Sequence, residues 1–169
     1  MSTDRSKKRG LARTGPKPLA VRSDNGTHLW TMGMLMTVKA RASETNGEFS
    51  AMEVRLPAGA APPLHVHHHE AEINYVIEGR IRFQCGEQIH DCGPGDFIYL
   101  PRHTPHSFRA GPDGARMLAV VAPAGIDELY AQVGEPATEL RLPSTPPNVA
   151  RWLELAPAFG LEVVGPPVE

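Results

Sequence analysis

The sequence predicts an all-β domain, an antiparallel barrel or sandwich whose few short helices are confined to its C-terminal part. Three observations predict it. Between residues 31 and 122, short segments rich in Ile, Val, Phe and Tyr are punctuated by Gly, Pro and Asp turn signals. No strand pattern in that stretch alternates with a helical one, which argues against a parallel α/β sheet. Helical periodicity begins only past Pro123.

The chain has 169 residues, 41% of them hydrophobic and 21% charged, as in an ordinary globular protein. That length suits one domain with trimmings. The division expected is a disordered basic tail over residues 1–18, a barrel over 19–125, and a helical, Pro-rich extension over 126–169. The tail carries Arg5, Lys7, Lys8, Arg9, Arg13 and Lys17 against Asp4 and lacks the apolar stretch of a signal peptide. A net charge of −2 gives no reason to expect nucleic acid. No apolar run approaches the roughly 20 residues of a membrane helix, so no membrane partner is expected. Neither Cys85 nor Cys92 sits in a CxxC pair, and both are read as reduced in a cytoplasmic protein.

Residues 31–40 read as one strand, with Met32, Met34, Met36 and Val38 on a single face at period two. Residues 48–56 form a second candidate. Further segments follow at 73–77, 81–85, 88–92, 97–100, 107–109 and 117–121. Between them lie Glu78-Gly79, Gly86-Glu87, Gly93-Pro94-Gly95-Asp96 and Gly111-Pro112-Asp113-Gly114, each read as a turn.

Past Pro123, Ile126, Leu129, Tyr130 and Val133 follow helical spacing. Asp127 and Glu128 lie in the first turn, and Gly134 follows the last. After a connector holding Pro136, Pro143, Pro146 and Pro147, a second helix places Val149, Trp152, Leu153 and Ala156 on one face. Ser144 or Thr145 is its expected cap, and Pro157 ends it. Tyr130 and Trp152 are expected to pack on the barrel; the alternative is that one helix partly closes its mouth.

The segment His65-Val66-His67-His68-His69-Glu70-Ala71-Glu72 carries the chemistry. In an extended strand, positions 65, 67 and 69 share a face. His65 and His67 can therefore meet one ion, and Glu72 can return a carboxylate to it. Imidazoles with a carboxylate suit a divalent transition metal: Fe, Ni, Mn, Co, Zn or Cu.

The spacing Gly59-x5-His65-x-His67-x4-Glu72-x6-Gly79, followed by Gly95-x5-Pro101-x4-His106, resembles the two sequence motifs of the cupin superfamily over roughly residues 48–122. The resemblance implies a double-stranded β-helix, or jelly-roll barrel, with a metal inside. Carried over position by position, its ligands fall on His65, His67, Glu72 and His106. His103 stands where that family usually has Gly, which puts the tight turn before His106 in doubt. His69 is a candidate for the pocket by parity. His68 is expected at a surface or interface, Glu70 in solvent, His28 and His90 at the surface, and His103 near the mouth.

Pro62-Pro63-Leu64 before the histidines, and the tail after Leu161, look most like single-domain bacterial cupins of the quercetin-dioxygenase-like group. The activity implied is a metal-dependent dioxygenase that cleaves a flavonol-like or other enol or phenol substrate. Glu72 is the candidate catalytic base. Two alternatives stay open: a non-oxidative metal-dependent cyclase or isomerase, and a small-molecule-binding module. Asn74, Val76 and Phe108 share faces with ligands by parity. The Met stripe reads first as core; as a pocket wall it favours a partly apolar or aromatic substrate. Cupins of this size are commonly dimers, and residues 31–40 are the candidate exchanged edge strand of a homodimer.

Overall fold

The structure, a computed structural model, describes residues 17–169. The expected basic tail, residues 1–18, falls outside the described residues except for Lys17 and Pro18.

Ten strands form one curved, mainly antiparallel sheet. In chain order they are β1 (Thr27–Thr31), β2 (Met34–Ala40), β3 (Ser50–Leu56), β4 (Leu64–His67), β5 (Ala71–Cys85), β6 (Gln88–Cys92), β7 (Phe97–Leu100), β8 (His106–Ala122), β9 (Glu135–Pro136) and β10 (Leu161–Gly165). Along one path the order is β10-β4-β8-β3-β2-β1-β9, and β5 joins β6, β7 and β8. This is the antiparallel all-β architecture that the turn-punctuated sequence predicts, in the jelly-roll form that the resemblance implies. Its spine is the pairing of β5 with β8, which runs from Ala71↔Ala122 to Cys85↔His106.

Two expected turns are instead bends inside continuous strands. Glu78-Gly79 lies within β5, and Gly111-Pro112-Asp113-Gly114 within β8. The register slips between Val76 and Glu78 and again between Gly79 and Ile81. Buried positions on β5 accordingly change parity, from Asn74 and Val76 to Ile81 and Phe83. Such bulges let one strand serve both walls of a barrel. Gly79 and Gly114 have φ of +76° and +74°, and a Cβ on Gly114 would come within 2.6 Å of the Leu56 carbonyl oxygen. Only glycine meets both demands there.

The single strand expected over residues 31–40 is a hairpin. Met32 and Gly33 form a two-residue turn with φ of +50° and +76°, and Thr31 pairs with Met34. Nor is residues 31–40 a free edge available for exchange, because β2 pairs with both β1 and β3 of its own chain.

The first helix forms as expected, α1 (Ile126–Val133), closed by the Gly134 amide on the Tyr130 carbonyl. The second, α2 (Val149–Leu155), is capped by the Asn148 side chain, which accepts from the Arg151 amide, rather than by Ser144 or Thr145. Trp152 and Ala156 of its expected apolar face are buried, whereas Val149 and Leu153 are exposed. A 3-10 turn, Ala156–Phe159, then delivers β10, a strand the sequence analysis did not anticipate. β10 pairs with β4, aligning Leu161 with His67 and Val163 with His65.

Candidate metal centre

The short strand β4 holds its two histidines between β10 on one side and the start of β8 on the other, where His65 is the register partner of His106. Glu72 is the second residue of β5. One donor atom from each of His65, His67, Glu72 and His106 lies within 4.8 Å of the others. The four residues expected to converge are therefore brought together. The His65 and His106 rings sit edge to face, 4.6 Å between centroids, and His67 stacks on His106 at 5.2 Å.

Each imidazole is oriented from behind. His65 Nδ1 donates to the Pro63 carbonyl at 2.8 Å, and His106 Nδ1 to the Thr104 carbonyl at 2.9 Å. A carbonyl oxygen only accepts, so both rings carry a proton on Nδ1 and turn Nε2 toward the centre of the cluster. His67 Nδ1 faces a carboxylate instead, Glu70 Oε2 at 3.4 Å. The Nε2 atoms of His67 and His106 lie 3.7 and 3.8 Å from Glu72 Oε2. The other Glu72 oxygen accepts from Asn74 Nδ2 at 2.7 Å.

Charges in the cluster follow from burial and proximity. Burial, then the positive character of His106 and His67, hold His65 down at about 3, so it is a neutral imidazole. Burial opposes the charge on Glu72, but His106, then His67 and the Asn74 amide, outweigh it and hold the carboxyl at about 2. Burial likewise opposes a proton on His106, and the Glu72 carboxylate raises it nonetheless. The donor set fits a divalent ion: His65 is already neutral and Glu72 already ionised, the forms that ligate, and His106 would give up, as the ion binds, the proton that Glu72 favours. His106 Nε2 is a buried polar atom with no hydrogen-bond partner, the orphan that a metal would satisfy.

Of the neighbouring residues, Glu70, His69 and His28 depart from expectation, and His68 and His90 do not. Glu70 is not in solvent: it is buried, 3% exposed, behind His67. The strand ends at His67, so parity does not carry on to His69, which is exposed and packs its ring against Gly160. His68 is at the surface, bonded to Glu162 Oε2 at 2.8 Å and to His103 Nδ1 at 3.4 Å. His103 takes the left-handed conformation, φ +64°, and its amide donates to the His67 carbonyl at 2.8 Å; the tight turn is kept without glycine. His90 is exposed, and His28 is half-buried against Thr37.

The cluster opens into a mainly apolar cavity of about 60 Å³. Five of the six methionines line it: Met32, Met34, Met36, Met52 and Met117. The Met stripe is thus pocket wall, although Met36 is also buried core. Phe108 and Trp152 join it, and so does Tyr130, which packs against the core as expected and also lines the pocket. Burial, then the carboxylates of Glu72 and Glu70, push the Tyr130 phenol up, so it remains a hydrogen-bond donor. Helical spacing placed Tyr130 on the inner face of α1, but not the depth of its hydroxyl.

The comparisons with known proteins agree with this geometry. A family model described as a cupin domain matches residues 52–121. Quercetin 2,3-dioxygenase of Bacillus subtilis is 27% identical over 154 residues, covering 90% of this chain and 46% of the relative. Oxalate decarboxylase OxdC of the same organism is 34% identical over 103 residues, covering 58% of this chain and 26% of the relative. The chain thus spans less than half the length of either relative. Among solved structures, KdgF from Halomonas sp. superposes with a TM-score of 0.57 at 20% identity, over 66% of this chain and 98% of that one. That likeness carries the fold alone.

Proposed function

Because the chain belongs to the cupin superfamily and gathers three histidines and a glutamate inside its barrel, we propose that it is a metal-dependent enzyme acting on an enol- or phenol-bearing small molecule, by dioxygenation. The observation that carries the reading is the orphaned His106 Nε2, set among two more inward imidazoles and an ionised carboxylate. His65, His67, Glu72 and His106 would hold one divalent ion. Such an ion supplies Lewis acidity toward a substrate oxygen and, where redox-active, a path for electrons to dioxygen.

The protein's own groups do the rest. Asn74 fixes one oxygen of Glu72 and so sets the carboxylate plane. Glu72 takes the substrate's hydroxyl proton on a lone pair left over from these contacts. The Tyr130 hydroxyl donates to a substrate oxygen on the helix side of the pocket. The methionines, Phe108 and Trp152 exclude water and favour a partly apolar or aromatic substrate. The cavity, about 60 Å³, is walled largely by methionines, whose flexible side chains can reshape around a larger guest.

The test is oxygen uptake by protein loaded in turn with Fe, Ni, Mn, Co, Cu or Zn, against flavonols and smaller enols. Uptake that requires both metal and substrate is the expected result. Turnover without oxygen would move the protein to the second reading, a non-oxidative cyclase or isomerase, which the small cavity and the likeness to a decarboxylase favour. Tight binding with no product would make it a binding module.

We also propose a homodimer in the cytoplasm. Among the described residues the two cysteines are free thiols, which suits a reducing compartment. On the outer face of β5 and β7, Tyr75, Phe97 and Tyr99 are 45%, 62% and 54% exposed, with Tyr75 directly across from Phe97. Neighbouring exposed aromatics on an outer sheet face suit a second copy of the same sheet.

A further inference from the structure

Glu70 has no part in the reading above, yet it is among the most buried charged residues in the protein. A carboxylate is removed from water only at high cost unless it has partners. Its position explains the burial. Glu70 Oε2 faces His67 Nδ1 at 3.4 Å. Its other oxygen lies toward Gly125, close enough that a Cβ there would sit 3.2 Å from it. Gly125 caps the start of α1, where the helix presents unpaired amides and the positive end of its dipole. The chain leaves β4 after His67 and turns through a bend before β5, and that bend tucks Glu70 inward instead of leaving it in solvent.

The three histidines are therefore not equivalent. His65 and His106 rest on main-chain carbonyls, which are neutral, whereas His67 rests on a charged side chain. From this asymmetry we infer that Glu70 is the positioning residue of His67: its carboxylate accepts the Nδ1–H, fixes that tautomer, and turns Nε2 toward the metal position. A carboxylate behind an imidazole also makes the ring a stronger donor. Because the carboxylate sits at the start of α1, and Tyr130 of the same helix lines the cavity, the pairing ties helix and ligand together. The inference rests on the metal reading proposed above.

The test uses Glu70→Ala and Glu70→Gln in the full-length chain. Affinity for Co(II) alone and Zn(II) alone is measured by competition with a chelator, alongside the visible spectrum of the Co(II) form. Long-range ¹⁵N–¹H spectra of metal-free protein report which nitrogen of His67 bears the proton. Wild-type protein is expected to show the Nδ1–H form of His67. Glu70→Ala is expected to bind both ions roughly 10- to 100-fold more weakly and to alter the Co(II) spectrum. Glu70→Gln keeps an acceptor oxygen and the side-chain volume, and is expected to recover the tautomer and most of the affinity. The inference is overturned by equal affinity and spectrum in wild type and Glu70→Ala, or by an Nε2–H His67 in the wild type. Wild-type protein that takes up neither ion overturns the metal reading itself, and this inference with it. A Glu70→Ala chain that does not fold leaves Glu70→Gln to decide: full recovery of tautomer and affinity supports the pairing, and a lost tautomer overturns it.

Discussion

Asn74 donates its side-chain amide to Glu72 across 2.7 Å, from two residues further along the same strand. Both side chains face the barrel interior because a strand repeats its facing every second residue. Asn74 is fully buried, and its carbonyl oxygen has no partner among the described residues. Leaving that oxygen unpaired costs about 1–3 kcal/mol. Asn74→Leu is therefore expected to leave the melting temperature unchanged or raised, while metal affinity falls by roughly 10- to 100-fold. Calorimetry and chelator competition on one preparation check both halves. A variant that loses stability but keeps its metal would show Asn74 to be a packing residue only.

Replacing His65, His67 or His106 with Ala is expected to remove most bound metal, as read by elemental analysis of purified protein. Glu72→Gln is expected to lower metal content less and turnover more, since an amide still offers an oxygen but accepts a proton poorly. Metal content unchanged in a His67→Ala, His106→Ala double variant would falsify the site.

Metal binding is expected to stabilise the fold, because the unfolded chain cannot gather the four donors. A free ion at about 100 times its dissociation constant contributes roughly 2.7 kcal/mol, which for a chain of this size moves the midpoint upward by several degrees. Thermal scans with Zn(II) and then with excess chelator check it. His106→Ala, run in parallel, is expected to show no such shift.

Tyr130→Phe retains the ring against the methionine wall and deletes only the hydroxyl. Metal content and stability are expected to stay the same, and substrate binding to weaken about 2- to 10-fold, the 0.5–1.5 kcal/mol of one hydrogen bond. Unchanged substrate binding would return Tyr130 to the packing role its helical spacing suggested.

Phe97→Glu places a charge in the middle of the outer aromatic face, where Phe97 is 62% exposed and contributes little to the fold of the monomer. Sedimentation at micromolar concentration is expected to show a dimer for the wild type and a monomer for the variant. A wild-type monomer ends the proposal.

Three of the four candidate ligands were legible in the sequence because their chemistry is local, two histidines two apart and a carboxylate five further on, whereas His106, 34 residues past Glu72, came only through the resemblance to the second cupin motif. What could not be read there depends on where strands bend or stop. Glycine at 79 and at 114 signals a turn equally well whether the chain reverses or only bulges, so two long strands read as four short ones. Parity points His69 into the pocket only if the strand runs on past His67, where β4 ends, and nothing in the composition of the bend that follows signals that Glu70 turns inward. β10 is exposed at Glu162, Val163 and Val164, and nothing in so short a segment announces a partner almost a hundred residues earlier. Helical spacing gave the inner face of α1 correctly, but not how far along that face a phenol would reach.

The pairing of β10 with β4 bears on exchange kinetics. β10 is five residues long, lies at the end of the sheet, and is the neighbour of His65 and His67 on that side. Terminal strands fray at a small fraction of the free energy of global unfolding. Release of an ion held by those two histidines would then be timed by the unzipping of one short strand rather than by melting of the barrel. Amide protons at the β10–β4 seam should trade with solvent on the same clock as the metal, while those of the β5–β8 spine remain silent.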